Sequence, residues 1–379
     1  MDGQLRDKVA SGVAWSMAEK VGTMLLQLAV SLTILRLLNP AIMGVIAIPT
    51  AFLAVAIVIA DSGFSQALIR KGTPTADDYK SVFAFNVGVA LVLYGVLVAL
   101  AGSIARFYDM PEITRIAPVF FLQLPLSAAC AIQNTIFVRT FRFALLSKVT
   151  FASWFIAGMV AIGLALAGFG IWCIVVQRVL QASVRALLLW WLSDWRPCGK
   201  CGLKPLREMA PFGCSLMVTD LISNFYNKIP QFFLGKLYSP AVLGSYEQAV
   251  KLKDQPATSA MQAVQNVTFP ALAKIKDDAP KLAESYRQIV MVVAYAMFPV
   301  MLGLSAIAED MFAVFLGGEW MATVPYFEAV CLAGLFYPLG LVAYNVLKVK
   351  SGGALIVKLE VAKKVKISVV YDSKKKNNV

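Results

Sequence analysis

The sequence predicts an all-α polytopic membrane protein with about 10 transmembrane helices arranged as two parallel repeats. Three observations predict this fold class. Of the 379 residues, 59% are hydrophobic and only 15% are charged, long stretches carry no charge, and one helix-start motif recurs 200 positions later. Because soluble domains average about 45–50% apolar and about 25% charged residues, this composition indicates a protein that faces lipid.

Residue types and motifs that the chain lacks exclude several kinds of active site. The sequence contains no histidine, which excludes Ser-His-Asp triads, HExxH zinc sites and histidine proton relays. It contains no GxxxxGK[ST] motif, which excludes an ATP-driven pump on this chain. Cys198 and Cys201 lack the second pair of ligands that zinc requires. The sequence therefore predicts no enzyme, no metal site and no cofactor.

Uncharged runs give the predicted spans. Six runs contain no Asp, Glu, Lys or Arg and are long enough, or nearly so, to cross the hydrocarbon core: 37–60, 81–105, 116–138, 149–177, 288–308 and 329–347. Four further apolar segments carry some charge: 13–35, 171–193, 209–235 and 241–272. The runs lack the period-2 alternation of barrel strands, so all ten segments are predicted to be helices.

The distribution of Lys and Arg predicts the orientation of the chain in its membrane. Loops on the N-terminal side carry eighteen of these residues, whereas those on the other side carry four: Arg36, Arg106, Arg115 and Lys236. The positive-inside rule then places the N-terminus in the cytoplasm. This asymmetry accounts for much of the formal net charge of +13 without a nucleic-acid partner. The longest exported loop, about 105–115, is too short for a soluble catalytic domain.

The repeat is carried by an L-x-x-P-A-x-x-G motif. The segment from Leu37 to Gly44 reads LLNPAIMG, and the segment from Leu237 to Gly244 reads LYSPAVLG. Weaker matches pair Pro118 with Pro325, Asn134 with Asn345, and Ala144-Leu145 with Ala354-Leu355. Six spans separate the copies, so the two halves share one orientation, a build typical of alternating-access transporters.

The repeat predicts the domain organisation. We expect an N-terminal six-helix lobe over 1–193, a cytoplasmic inter-lobe loop over 194–208, a C-terminal lobe of four helices over 209–353, and a Lys-rich tail over 354–379. Residues 354–371 contain too many charges for a lone membrane helix. The sequence thus predicts an incomplete second lobe, as a truncated C-terminus would leave.

Charged residues inside the spans are the predicted functional groups, since charge in a membrane helix usually faces a cavity or a partner. The predicted substrate-binding cations are Lys20, Lys228, Lys251, Arg178 and Arg185, and the predicted cavity acids are Glu19, Asp61, Asp220, Glu247 and Asp254. Other interpretations remain open: an i,i+4 structural pair for Glu247 and Lys251, an Arg185 that extends to the cytoplasmic surface, and an interfacial Glu19-Lys20. Lys and Arg neutralise phosphate directly, so these cations suit an anionic substrate.

Several motifs resemble those of polysaccharide flippases of the MOP exporter superfamily, and in particular colanic-acid-type lipopolysaccharide or exopolysaccharide exporters. The matching segments are 235–249 (GKLYSPAVLGSYEQA), Pro256, 269–275 (FPALAKI) with Asp277-Asp278, 5–16, 61–69 and 315–320 (FLGGEW). The resemblance covers about residues 5–353. The chain departs from it at Pro230, where many relatives have an Asp, and in the absence of the last helices.

The resemblance implies a MATE-like fold of two six-helix lobes whose cavity is lined by the first, second, seventh and eighth spans. It implies transfer of undecaprenyl-diphosphate-linked oligosaccharide between the leaflets by alternating access, with membrane lipids and an open role for a polysaccharide polymerase as partners. The alternatives are a MATE-like drug/cation antiporter and an inactive truncated fragment. A membrane-embedded glycosyl- or prenyltransferase is disfavoured because its acidic exported loop is missing.

Overall fold

A computed structural model describes residues 22–255, 279–336 and 340, and the described part of the chain is helical. Its helices, in chain order, are α1 (Gly22–Leu37), α2 (Pro40–Asp61), α3 (Phe64–Arg70), α4 (Ala76–Tyr108), α5 (Glu112–Phe120), α6 (Gln123–Arg139), α7 (Phe143–Leu166), α8 (Ile171–Leu192), α9 (Leu203–Leu237), α10 (residues 240–255), α11 (Ala279–Ala306), α12 (Ala308–Phe315) and α13 (Val324–Gly334), with a 3-10 turn at Gly318–Thr323. The predicted all-α fold class is confirmed.

The described helices include six that are long and apolar enough to cross a membrane: α2, α4, α5 with α6, α7, α8 and most of α11. Five of the six uncharged runs lie mostly within these helices, with the run 149–177 divided between α7 and α8. α13 covers the first part of the sixth run, 329–347. α9 has the length of a span but carries Asp220, Lys228 and further charges. The predicted span over 241–272 is described only to residue 255.

The chain divides into two compact units, Met1–Gly244 and Ser245–Val379. In the first unit, α9 packs against α2, α3 and α4. In the second, α11 packs against α12 and α13. α9 begins at Leu203, so the connection after α8 is shorter than the predicted loop over 194–208. The division into lobes that the repeat predicts remains a prediction.

Local sequence signals explain where the helices start. Asn39 caps α2 by accepting a hydrogen bond from the Ile42 amide at 3.1 Å, and Pro40 occupies the first turn, where no backbone donor is needed. α4 begins with a capping box in which Thr75 and Asp78 satisfy each other's backbone amides. The turn between α7 and α8 contains Gly168 and Gly170, both of which have positive φ.

Two sequence expectations are corrected at the side of the membrane predicted to be exported. α4 continues to Tyr108 and α5 starts at Glu112, so the expected loop over 105–115 shrinks to a three-residue turn. The expected span over 116–138 is present within Glu112–Arg139, but as two consecutive helices, α5 and α6, rather than one. Pro118 favours such a break because proline has no backbone N–H to donate within the helix. The Pro118 carbonyl accepts a hydrogen bond from the Tyr94 hydroxyl at 3.1 Å.

The described helices repeat in the same order. A long helix, a short helix and a third helix follow one another as α4–α5–α6 and again as α11–α12–α13, each pair starting about 200 residues apart. The caps repeat as well: Ser239 accepts from the Val242 amide at 3.5 Å, as Asn39 does from Ile42. The structure thus supports the internal repeat that the motif predicted.

A small core fixes the predicted cytoplasmic ends of the first unit. Phe64, Leu68, Val82, Ile132 and Met209 are buried together, so α3, α4, α6 and α9 meet at one point. Beside this core, the Arg139 guanidinium donates to the carbonyls of Leu68, Lys71 and Gly72. These contacts hold the end of α3 in place.

Candidate functional site

A polar cavity lies within the first unit among α2, α3, α4, α6 and α8. Its volume is about 300 Å³, at the lower limit of small-molecule sites, which span roughly 300–1,000 Å³. Ile57 of α2 and Leu124 of α6 contribute apolar wall, and the remaining lining is mostly small or polar. It lies towards the helix ends that the loop charges assign to the cytoplasm.

Asp61 supplies the carboxylate of this cavity. It is the last residue of α2, which ends because Ser62 adopts a left-handed conformation with φ 47°. The following helix, α3, turns back and places the Ser65 hydroxyl where it donates to Asp61 Oδ1. Asp220 of α9 is close enough to Asp61 to repel it electrostatically. Asp61 therefore lies in the wall of this cavity, with one hydrogen-bond donor and a second acid nearby.

Arg185 supplies the cation. It projects from α8, and its Nη2 donates to Asn134 Oδ1 of α6 at 3.0 Å. Its Nε is buried and makes no hydrogen bond. Gln181 lines the same cavity one turn earlier on α8. The predicted extension of Arg185 to the cytoplasmic surface is wrong, because Asn134 holds the guanidinium inside.

Asn86 is a site residue that the sequence reasoning missed. It lies on α4, is 1% exposed and lines the cavity. Among the residues that the structure describes, neither its amide oxygen nor its amide nitrogen has a hydrogen-bond partner. Leaving a buried polar group unpaired costs about 1–3 kcal/mol. The signal that could have found it is a lone carboxamide in the middle of an uncharged span.

The lining of the cavity combines donors and acceptors of hydrogen bonds with little net charge. The Asp61 carboxylate and the Arg185 guanidinium cancel formally, while Asn86, Asn134 and Gln181 each carry both a donor and an acceptor. Within the ranges that the structure describes, no group of three or more His, Cys, Asp or Glu side chains could hold a metal ion. The site is suited to binding a polar group rather than to acid–base or metal chemistry.

The predicted residues of α9 form a second polar surface. Asp220, Asn224 and Lys228 are spaced by four residues and share one helix face. Asp220 is exposed and Lys228 is half-buried. Asn224 donates from its amide to the Asp220 carbonyl at 2.9 Å, which keeps it on the helix. Within the described part of the chain, Lys228 forms no ion pair with an acidic side chain.

Arg178 does not join the cavity lining. Its guanidinium carbon lies over the Trp154 ring of α7, 6.0 Å from the ring centroid. The predicted stripe on α8 is therefore divided, since Gln181 and Arg185 line the cavity whereas Arg178 packs on an aromatic ring of the neighbouring helix. Arg178 is the weaker of the two predicted arginine sites.

The predicted residues of α10 differ in exposure. Glu247 is buried at 7% exposure, whereas Lys251 is exposed. Asp254 forms an ion pair with its neighbour Lys253 at 2.7 Å. Glu19 and Lys20 lie outside the described residues.

An ion pair between Lys71 and Asp78 lies at the predicted cytoplasmic edge of the first unit, outside the membrane spans. Lys71 lies between α3 and α4, and its Nζ contacts both carboxylate oxygens of Asp78, at 2.9 and 2.8 Å. Glu208 of α9 lies 3.5 Å from the same ammonium. The hydrogen bond to Asp78 raises the pKa of Lys71 above its ordinary value of 10.5. This pair fixes the start of α4, and with it the helix that carries Asn86.

Comparison with known families finds one match over most of the chain. Residues 33–325 match the family described as "Polysaccharide biosynthesis protein". The succinoglycan biosynthesis transport protein ExoT of Rhizobium meliloti (strain 1021) is 24% identical over 331 residues, which cover 87% of this chain and 67% of that protein. The lipopolysaccharide biosynthesis protein WzxC of Escherichia coli (strain K12) is 23% identical over 352 residues, covering 89% of this chain and 69% of that protein. The chain thus spans about two thirds of the length of these two relatives.

Solved structures show the same fold. The lipid II flippase MurJ, in an inward closed conformation, superposes with a TM-score of 0.70 at 12% identity, covering 89% of this chain and 76% of that one. An inward-facing multidrug resistance MATE family transporter of the MOP superfamily gives a TM-score of 0.58 at 16% identity, covering 86% of this chain and 84% of that one. The predicted MATE-like fold is confirmed by these two similarities.

Proposed function

Since this chain belongs to the polysaccharide biosynthesis protein family, we propose that it moves polyprenyl-diphosphate-linked oligosaccharide units from the cytoplasmic to the outer leaflet for lipopolysaccharide or exopolysaccharide synthesis. The observation that carries the proposal is the family match over residues 33–325. The transport role named for ExoT and the flippase fold of MurJ support it. Composition supports the same class, because the chain offers neither metal nor nucleotide chemistry. It acts as a transporter and not as an enzyme.

The proposed mechanism assigns the charges to the diphosphate. Lys228 on the polar face of α9, together with Lys20 and Lys251, attracts the anionic group, because an ammonium is a point charge that neutralises phosphate. Asp220, Glu247 and Asp254 balance these cations when the cavity is empty. Alternating access then exposes the site to one leaflet at a time, as transporters built from parallel repeats commonly do.

The proposed setting is a bacterial inner membrane with the N-terminus in the cytoplasm. The excess of Lys and Arg on one set of loops supports that orientation. Membrane lipids surround the helices, and exposed apolar side chains such as Val92, Leu187 and Trp191 are suited to contact them. A polysaccharide polymerase is the proposed acceptor of the released unit.

A second candidate function is a drug/cation antiporter of the same fold. One observation favours it, namely that Asp61 lines a cavity of the first unit, where an acid could exchange a proton or cation. Arg185 in the same cavity offsets that acid and disfavours a bound cation. The MATE similarity is below 25% identity and supports the fold only.

The experiment is complementation of a flippase-deleted strain by the 379-residue chain, with surface polysaccharide read on a gel. Restored polymer is the expected result. Lys228→Glu and Lys251→Glu should each abolish polymer while the protein still inserts in the membrane. Lys204→Glu is the matched control: Lys204 is exposed at the start of α9, where a helix N-terminus tolerates an acid. No polymer from a correctly inserted wild-type chain would favour the inactive fragment, and normal polymer from both reversal variants would contradict the mechanism.

A further inference from the structure

We infer that the cavity in the first unit binds one neutral, hydroxyl-rich ring of the transported saccharide, as a site separate from the lysines that meet the diphosphate. This inference rests on the proposed function and adds to it where the sugar itself is recognised.

The charge of the lining excludes a free ion as the matched ligand. A diphosphate would meet the Arg185 guanidinium but also the Asp61 carboxylate, with Asp220 close behind it. A metal cation would meet the carboxylate but also the guanidinium. Each ion therefore gains one attraction and suffers one repulsion in a poorly solvated site. A neutral ligand suffers neither.

Two polar groups of the lining, the Asn86 amide and the Arg185 Nε, have no hydrogen-bond partner among the described residues. Asn86 is 1% exposed, yet both atoms of its amide lack a partner. Buried amides in folded proteins are nearly always hydrogen-bonded, and exceptions gather at functional positions. Asn86 needs a ligand that accepts one hydrogen bond and donates another.

Hydroxyl groups meet that requirement. Each hydroxyl donates once and accepts twice, so adjacent hydroxyls of a sugar can pair with the oxygen and the nitrogen of one carboxamide. Asn86 on α4 and Gln181 on α8 present such carboxamides, and the Asp61 carboxylate presents further acceptors. The lining contains no aromatic ring, so recognition here rests on hydrogen bonds alone.

The test uses Asn86→Leu, which keeps the branched shape of the side chain and removes its polar atoms. If the Asn86 amide is paired only by a bound ligand, the substitution removes a buried polar group that has no partner in the ligand-free protein. The ligand-free melting temperature of the variant should therefore equal or exceed that of the wild type. Its control is Gln133→Met on α6. The Gln133 amide is fully buried. In the orientation assigned from its neighbours it is satisfied, because it donates to the Ala129 carbonyl at 3.1 Å and accepts from the Trp190 indole at 3.2 Å. Gln133→Met should melt at a lower temperature.

Binding is read by the melting temperature of the purified full chain with defined probes: methyl glucoside, methyl galactoside and methyl mannoside as neutral rings, inorganic pyrophosphate as the anion, and sodium chloride as the cation source. At least one glycoside should raise the melting temperature of the wild type and leave that of Asn86→Leu unchanged. A lipid-linked saccharide, assayed in the same way, separates recognition of the attached sugar from that of a free one. Asn86→Leu should weaken its binding about tenfold, the effect of losing one or two hydrogen bonds.

Three results would overturn the inference. The first is an Asn86→Leu protein that melts at as low a temperature as Gln133→Met. The second is stabilisation of the wild type by pyrophosphate or sodium but by no glycoside, and the third is equal glycoside binding by Asn86→Leu and the wild type. The proposed function fails separately, when the wild-type chain does not restore polymer in the deleted strain. Glycoside binding that depends on Asn86 in a chain that restores no polymer would keep the site and reject the transport role.

Discussion

Gly44 and Gly244 lie against each other where the start of α2 meets the start of α10. A Cβ atom on Gly244 would lie 1.8 Å from the Pro40 carbonyl oxygen and 2.8 Å from the Gly44 nitrogen. A Cβ atom on Gly44 would in turn lie 1.8 Å from the Pro240 carbonyl oxygen. The contact is therefore reciprocal between the two copies of the repeated motif. Glycine permits such close backbone approach between membrane helices.

Gly44→Ala and Gly244→Ala should each destabilise the protein, and by similar amounts. The added methyl group meets backbone atoms that cannot rotate away, so we expect a loss at or above the upper end of the usual overpacking cost of about 1–3 kcal/mol. The measurement is the melting temperature and monodisperse yield of the detergent-purified chain. Gly95→Ala on α4 is the control, because nothing lies within 4 Å of its added Cβ. Wild-type stability in both motif variants would contradict the contact.

This pair shows what the sequence could and could not predict. The offset of 200 positions identified two equivalent helix starts, and their capping by Asn39 and Ser239 follows from residue type. That the two copies touch each other does not follow from a repeat, because a repeat specifies similar local structure and no particular packing. The break after Phe120 was likewise hidden, since an uncharged run looks the same for one long helix and for two.

Arg139→Ala should destabilise the first unit more than a typical surface substitution. The guanidinium donates to three carbonyls, with distances of 2.7 Å to Lys71 and 3.0 Å to Gly72. Losing even one charged hydrogen bond costs about 1.5–3 kcal/mol. Arg139→Lys should recover only part of the stability, because an ammonium lacks the planar fork. Melting temperatures test this against Arg142→Ala, an exposed residue at the start of α7; an equal effect of the two alanine variants would disprove the role of Arg139.

The Lys71–Asp78 pair should give stability that is present at neutral pH and declines at high pH as Lys71 loses its proton. The pKa of Lys71 is raised in the folded protein by its hydrogen bond to Asp78. Its contribution is thus fully present below the ordinary value of 10.5 and declines as the pH rises through the higher folded-state pKa. The melting temperature of the wild type should exceed that of Lys71→Met by a constant margin at neutral pH. This difference in melting temperature should become smaller once the pH exceeds the ordinary lysine pKa of 10.5. If the two proteins already melt at the same temperature near neutral pH, the Lys71–Asp78 pair does not stabilise the fold.

The candidate site was predictable only in its charged members. Asp61 and Arg185 attract attention because charge is rare inside a span, whereas Asn86 is a neutral residue in an apolar run and gains its meaning from the helices around it. Arg178 lies seven residues before Arg185 and yet packs on Trp154. Spacing on one helix does not fix which neighbour each side chain meets, so tertiary packing decides between a cavity and an aromatic contact.

The most direct test of the account is leaflet-to-leaflet transfer by the purified 379-residue chain in lipid vesicles. A polyprenyl-diphosphate-linked saccharide with a fluorescent sugar is inserted in one leaflet, and a membrane-impermeant quencher reports its appearance in the other. The account predicts transfer well above that in protein-free vesicles, slowed by Lys228→Glu and by Asn86→Leu but not by Lys204→Glu. Transfer no faster than in protein-free vesicles would contradict the central claim that this chain is a flippase.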